Sequence, residues 1–190
     1  MIIRKIFSLA ASIISLFIFI LFLSSNSISD ENNIKHYSGD EGILSLMYHR
    51  FNENKYPSTN IQMDIFKEQM EIVKNSSYSF SNPKNFVESF SSKKNKEILL
   101  TVDDGFLSFY LEEWPFLKQN KIPFILFVST EPVGKSGYMT WEQIKEVEAE
   151  EFAVIGHHSH SHGYLIDKDD NFFISDIEKA NEIFLKSKWK

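Results

Sequence analysis

Ile98-Leu99-Leu100-Thr101-Val102-Asp103-Asp104-Gly105 is the stretch whose reading decides the fold. Apolar or strand-favouring residues from Ile98 to Val102 deliver two adjacent carboxylates to a glycine, where the backbone can turn. This is a buried strand bringing acid groups to its carboxyl end. Neighbouring carboxylates repel each other, and a cation relieves that repulsion. A second stretch, Ile155-Gly156-His157-His158-Ser159-His160-Ser161-His162-Gly163, holds four of the six histidines in the chain.

Outward from these two stretches, apolar runs alternate with helical patterns. Ile43 to His49 reads as a first buried strand, and Met63 to Lys74 as a helix with apolar residues at 66, 70 and 73. Asn75 to Glu97 is polar with scattered phenylalanines, which suggests a surface excursion holding a short helix. Phe106 to Asn120 is helical in composition, with Pro115 kinking or restarting it. Pro123 to Ser129 reads as a strand. Thr140 to Glu151 reads as a helix whose Thr140 and Gln143 form a capping box. Phe152 to Ile155 is a further strand leading into the histidines, and Asp170 to Lys188 an amphipathic last helix. Continuously apolar strands alternating with helices predict an α/β fold with a parallel sheet or barrel.

At the other end, Met1 to Lys5 is short and basic and Ile6 to Leu23 is uncharged and apolar. Residues 1–25 are therefore an expected N-terminal hydrophobic helix, either a signal peptide or a membrane anchor, so the protein is expected to be exported, whether periplasmic, extracellular or membrane-bound. Residues 26–42 read as a polar linker and 43–190 as one domain. The chain of 190 residues carries a net charge of −6. An acidic body makes nucleic acid an unsuitable partner, because phosphate binding rests on Lys and Arg. With no cysteine in the sequence, any metal must be held by imidazole and carboxylate.

In parallel α/β folds functional residues collect at the carboxyl ends of strands. Asp103, Asp104, His158, His162 and His49 all fall at such ends in this reading. Taken alone, Asp-Asp-Gly is a common turn, a histidine tract can be a loose metal chelator, and His49 reads equally well as a hydrogen-bonded histidine near a strand end. One helical turn at 158–162 would point His160 away, whereas a straight strand would align it with His158 and His162. Either geometry lets His158 and His162 share a metal, and Asp104 completes two imidazoles and one carboxylate with positions left for water and substrate. Asp103 is then free to take the proton of a water whose pKa the metal lowers, for attack on a carbonyl.

Thr101-Val102-Asp103-Asp104-Gly105 resembles the Thr-Phe-Asp-Asp-Gly motif of polysaccharide deacetylases with a NodB-homology domain (carbohydrate esterase family 4), and Gly156 to His162 resembles their His-(Ser/Thr)-x-x-His motif. Leu46-Met47-Tyr48-His49-Arg50, Phe116-Leu117-Lys118 and Tyr138-Met139-Thr140-Trp141 add matches to the branch that deacetylates exported poly-N-acetylglucosamine. The resemblance implies a deformed (β/α) barrel that removes N-acetyl groups from the amino sugars of a polysaccharide. It implies Asp103 as general base and Asp104, His158 and His162 as ligands of a divalent metal, usually zinc, with cobalt, nickel or iron in some members. The family's Arg-x-Pro-Tyr segment and the motif with its acid histidine would follow Lys188. The sequence is accordingly read as the N-terminal portion of the barrel, C-terminally truncated: an enzyme, a remnant that binds metal or glycan without turnover, or a piece completed by a second chain.

Overall fold

The structure is a computed structural model and describes residues 43–85 and 96–188. The hydrophobic leader expected over 1–25 and the linker over 26–42 lie outside the described residues. In chain order the elements are β1 (Ile43–Tyr48), β2 (Arg50–Phe51), β3 (Asn60–Ile61), α1 (Met63–Lys74), β4 (Ser79–Phe80), a short 3-10 turn (Pro83–Asn85) and β5 (Glu97–Asp104). A π-helical turn (Phe109–Glu113), α2 (Trp114–Asn120), β6 (Phe124–Val128), α3 (Trp141–Glu148), β7 (Ala153–His157), a second 3-10 turn (Leu165–Asp167) and α4 (Asp170–Lys188) follow. The sheet is parallel, in the order β1-β5-β6-β7, with β4 on the first two residues of β5. A separate parallel pair, β2 with β3, had no counterpart in the sequence reading.

The expected α/β class with a parallel sheet is the one observed, and the local deviations have causes. Strand β5 runs two residues beyond Val102, because Asp103 and Asp104 pair with Phe127 and Val128 of β6. Both acids therefore belong to the strand and are fixed by its ladder. Strand β1 is not buried on both faces as expected: Leu44 and Met47 are exposed, since among the described residues it pairs with β5 alone. Before Pro115 the helix is wound wider, with the Trp114 N–H reaching the Phe109 carbonyl five residues back. Proline has no N–H to continue the ladder, so α2 restarts there. Thr140 and Gln143 form the expected reciprocal cap, with Gln143 Oε1 accepting from the Thr140 N–H at 2.8 Å. In α4 the apolar positions divide: Ala180 is buried, while Phe173 and Ile174 face outward.

The core is aromatic. Phe51, Phe66, Phe109 and Phe124 are fully buried, and Phe51 and Phe66 meet edge to face at 5.5 Å between ring centroids. Glu113 lies in the same interior with no exposed surface, and neither carboxyl oxygen has a hydrogen-bond partner. Burial holds its carboxyl well above the usual range. Tyr48 is pushed up to about 12, first by its own burial and then by Glu113. An acid with a raised folded pKa is stability-neutral below the unfolded pKa and destabilising as pH rises toward the folded one. Glu113→Leu is expected to raise stability at neutral pH by about 1–3 kcal/mol, and the part of the gain that comes from ionisation of the unfolded carboxyl should be lost near pH 4. Denaturant midpoints across pH measure this, and a pH-independent difference would remove ionisation of Glu113 as a contributor.

Candidate active site

The site forms where the carboxyl ends of β5, β6 and β7 meet, and the register dictates what meets there. Asp104 pairs with Val128, which pairs in turn with His157. The next residue, His158, donates its N–H to the Val128 carbonyl at 2.8 Å, so its side chain returns over Asp104. Asp104 and Gly105 both have positive φ, 75° and 72°, which turns the chain sharply at the strand end. Gly105 could not be replaced cheaply, because an added Cβ would also stand 3.3 Å from Val128. Gly156 instead makes room for a ring: a Cβ there would stand 2.8 Å from Phe127, whose ring lies across it with its centroid 6.4 Å from that of His158.

Residues 158–162 are neither a helical turn nor a straight strand, and this resolves the alternatives left open by their spacing. Ser159 and His162 take positive φ values, 65° and 52°. His158 and His162 thereby come together, with ring centroids 4.9 Å apart. His160 is turned away and its Nδ1 lies 2.8 Å from the Thr130 hydroxyl. His157 packs against Phe184 instead. Sterically costly backbone of this kind persists when its surroundings over-determine it. Here Asp176 of α4 accepts the N–H of His160 at 2.8 Å and that of Ser161 at 3.0 Å, beside bonds from the Thr130 and Glu131 N–H groups to the Ser159 and His160 carbonyls.

Asp176 was not singled out in the sequence. Its signal was an acid on the buried stripe of α4, one turn before Ala180. Burial alone would raise its carboxyl, but the Ser161 hydroxyl and the two N–H groups hold it below the ordinary range. A lowered folded pKa gives stability that is present above the unfolded pKa and is lost as pH falls through the folded one, below about pH 4. Asp176→Ala leaves two inward N–H groups unsatisfied and is expected to cost about 1–3 kcal/mol. Hydrogen exchange at His160 and Ser161 should accelerate in this variant, and unchanged protection would free the loop from dependence on Asp176.

Asp104 Oδ1 lies 3.1 Å from His162 Nε2 and 3.6 Å from His158 Nε2, and the three donors fall within 4.8 Å of one another. Ligands about 2.0–2.2 Å from a shared ion stand about 3.0–3.5 Å apart at tetrahedral or octahedral angles. Neither imidazole is aligned to hydrogen-bond Asp104 Oδ1, which is buried without a partner. Orphaned oxygen and converging nitrogens together fit a divalent cation. Asp103 sits beside this set, its Oδ2 4.0 Å from His158 Nε2 and its Oδ1 unpartnered. Burial raises its carboxyl most, Asp104 adds to that, and His158, His49 and His162 oppose it. His49 follows the Tyr48–Val102 pair, which puts it at the level of Asp103.

A carboxylate held beside such a donor set, at the rim of a parallel sheet, is equipped for hydrolysis, and comparison narrows the class. Residues 91–187, just over half of the chain, match the family model for polysaccharide deacetylase, and the chain belongs to that family of hydrolases. Among solved structures it is similar to IcaB from Ammonifex degensii, with 27% identity, a TM-score of 0.65 and coverage of 77% of this chain and 70% of that one. It shares the fold of the deacetylase PplD of Streptococcus pyogenes, solved in complex with acetate, at 22% identity and a TM-score of 0.67, covering 76% of this chain and 68% of that one. A polysaccharide deacetylase from Bacillus cereus has the same fold at 19% identity and a TM-score of 0.64, with 76% of this chain and 47% of that one covered. Comparison with curated proteins finds no match.

Proposed function

We propose that the chain hydrolyses the N-acetyl groups of N-acetylated amino sugars in a polysaccharide, on the poly-N-acetylglucosamine branch of the family. The observation that carries this reading is the convergence of Asp104 Oδ1, His158 Nε2 and His162 Nε2 beside an unpaired Asp103. Those three side chains would hold a divalent cation, with zinc as the first choice and cobalt, nickel or iron as substitutes, which would lower the pKa of a water and polarise a carbonyl oxygen. Asp103 takes the proton from the attacking water. Hydrolysis yields acetate and a free amine, so that proton is the one the departing nitrogen needs, and Asp103 is the residue that receives it first. His49, level with Asp103, lines the site.

Export by residues 1–25, cleaved or retained as an anchor, is part of the same proposal, because a polymer outside the membrane must be met there. Among the described residues no helix is long and apolar enough to cross a membrane. The test is acetate release from N-acetylglucosamine oligomers by the purified, metal-loaded chain. Stripping the metal with a chelator should abolish release and re-addition should restore it. Metal content that rises to one per chain with no acetate from any oligomer would leave the alternative, a protein that binds metal or glycan without turnover.

A further inference from the structure

Arg50 ends the stretch Leu46-Met47-Tyr48-His49-Arg50, and no step of the proposed reaction uses it. Its guanidinium carbon stands 3.3 Å from the centroid of the Phe106 ring and 4.0 Å from that of Tyr56. Its Nη1 donates to Glu53 Oε2 at 3.0 Å. The main chain is fixed as well, since the Arg50 N–H donates to the Thr59 carbonyl at 3.0 Å and Arg50 pairs with Asn60 across β2 and β3. Only 14% of the side chain is exposed, so little water weakens its attraction to the rings. A planar, delocalised cation also covers a ring face in a way that the compact ammonium of lysine does not.

Phe106 is the residue through which this contact reaches the site. It follows the Asp104-Gly105 turn directly, is buried, and forms an antiparallel bridge with Tyr138. Flanking that bridge, the Leu107 N–H donates to the Gly137 carbonyl and the Met139 N–H to the Gly105 carbonyl, both at 2.9 Å. The half-buried Tyr138 ring lies 5.0 Å from that of Phe106. Both rings line a cavity of about 350 Å³ that Asp104 and His162 also line. Tyr138 ends an exposed segment that carries two glycines of positive φ, Gly134 at 79° and Gly137 at 85°. Backbone of that kind does not by itself hold a ring in place. Support therefore runs from Glu53 and Tyr56 to Arg50, from Arg50 to Phe106, and from Phe106 to Tyr138 beside the proposed metal donors.

We propose that Arg50 is a positioning residue: by covering Phe106 it sets the Phe106 and Tyr138 rings as the wall against which an acetamido sugar lies at the candidate site. This rests on the function proposed above and adds to it a residue that touches neither the ion nor the reacting atoms. The test compares the full chain with Arg50→Ala and Tyr56→Leu. With Asp103 and the donors intact, Arg50→Ala should raise the KM for N-acetylglucosamine oligomers about tenfold while kcat stays within about twofold. Metal affinity, read by competition with a chelator, should not change. Tyr56→Leu, at a half-exposed ring away from the cavity lining, should raise KM by a smaller factor, and it keeps the test open should Arg50→Ala fail to fold. An unaltered KM in both variants overturns the proposal. So does a joint fall of kcat, metal affinity and denaturation midpoint, which is the pattern of a merely structural contact. Hydrogen exchange at the Leu107 and Met139 amides of the metal-free protein separates this proposal from the reaction. Faster exchange in Arg50→Ala, in a chain that releases no acetate, would sustain the positioning role and defeat the reaction. Unchanged exchange with unchanged KM, in a chain that does release acetate, would do the reverse.

Discussion

Replacing Asp103 by Asn is expected to leave the metal content of the protein unchanged and to lower the rate of acetate release by about a hundredfold to ten-thousandfold, the usual range for loss of a positioned proton acceptor. The substitution suits its purpose because it keeps the shape of the side chain and removes only its basicity. Asp103 Oδ1 has no hydrogen-bond partner in the protein, so nothing structural is withdrawn with the charge. Its register partner Phe127 and the β5 ladder also remain. Metal analysis and steady-state kinetics on the same preparation make the measurement. A variant that keeps both metal and turnover would remove Asp103 from the reaction.

Asp104→Asn is expected to give the opposite pattern, in which metal affinity falls by about a hundredfold or more and turnover falls with it. Asn is chosen over Ala because position 104 has φ of 75°, a region that Asn tolerates and Ala does not. The backbone turn into Gly105 is thus preserved, and the lost quantity is the anionic oxygen 3.1 Å from His162. Competition with a chelator of known affinity reads the change directly, independently of any substrate. Unaltered affinity would mean that the two histidines hold the metal without Asp104, and the assignment of the donor set would fail. Paired with the first result, this separates the two adjacent carboxylates by function, since one variant loses the ion and the other only the proton acceptor.

Much of this was legible in the sequence, for identifiable reasons. The strand Ile98 to Val102 and its two aspartates could be read because buried parallel strands are continuously apolar and polar residues at their ends stand out. The cap at Thr140 and Gln143 was equally plain, being a local pattern with a local cause. The shape of the histidine loop was not. Its positive φ values at Ser159 and His162 flank two N–H groups that Asp176 accepts, and nothing within residues 158–162 announces an acceptor that arrives from the next helix. The exposure of Leu44 and Met47 was hidden for a similar reason, because an apolar strand reads alike at the centre and the edge of a sheet. Glu113 was not singled out in the sequence, and it is buried at the end of the widened turn before Pro115.

The sheet order also has a kinetic consequence. Every pairing in it is parallel, so no strand can find its neighbour through a tight hairpin, and each contact closes a crossover. Asp104 ends β5 and His158 follows β7, and these strands do not touch, because β6 stands between them. During synthesis the carboxylate pair emerges first and remains without its imidazoles until two further strands have docked. An ion offered early meets Asp103 and Asp104 alone. A cation held as proposed by Asp104, His158 and His162 would therefore be captured only after β7 has docked, and its uptake rate would report that docking.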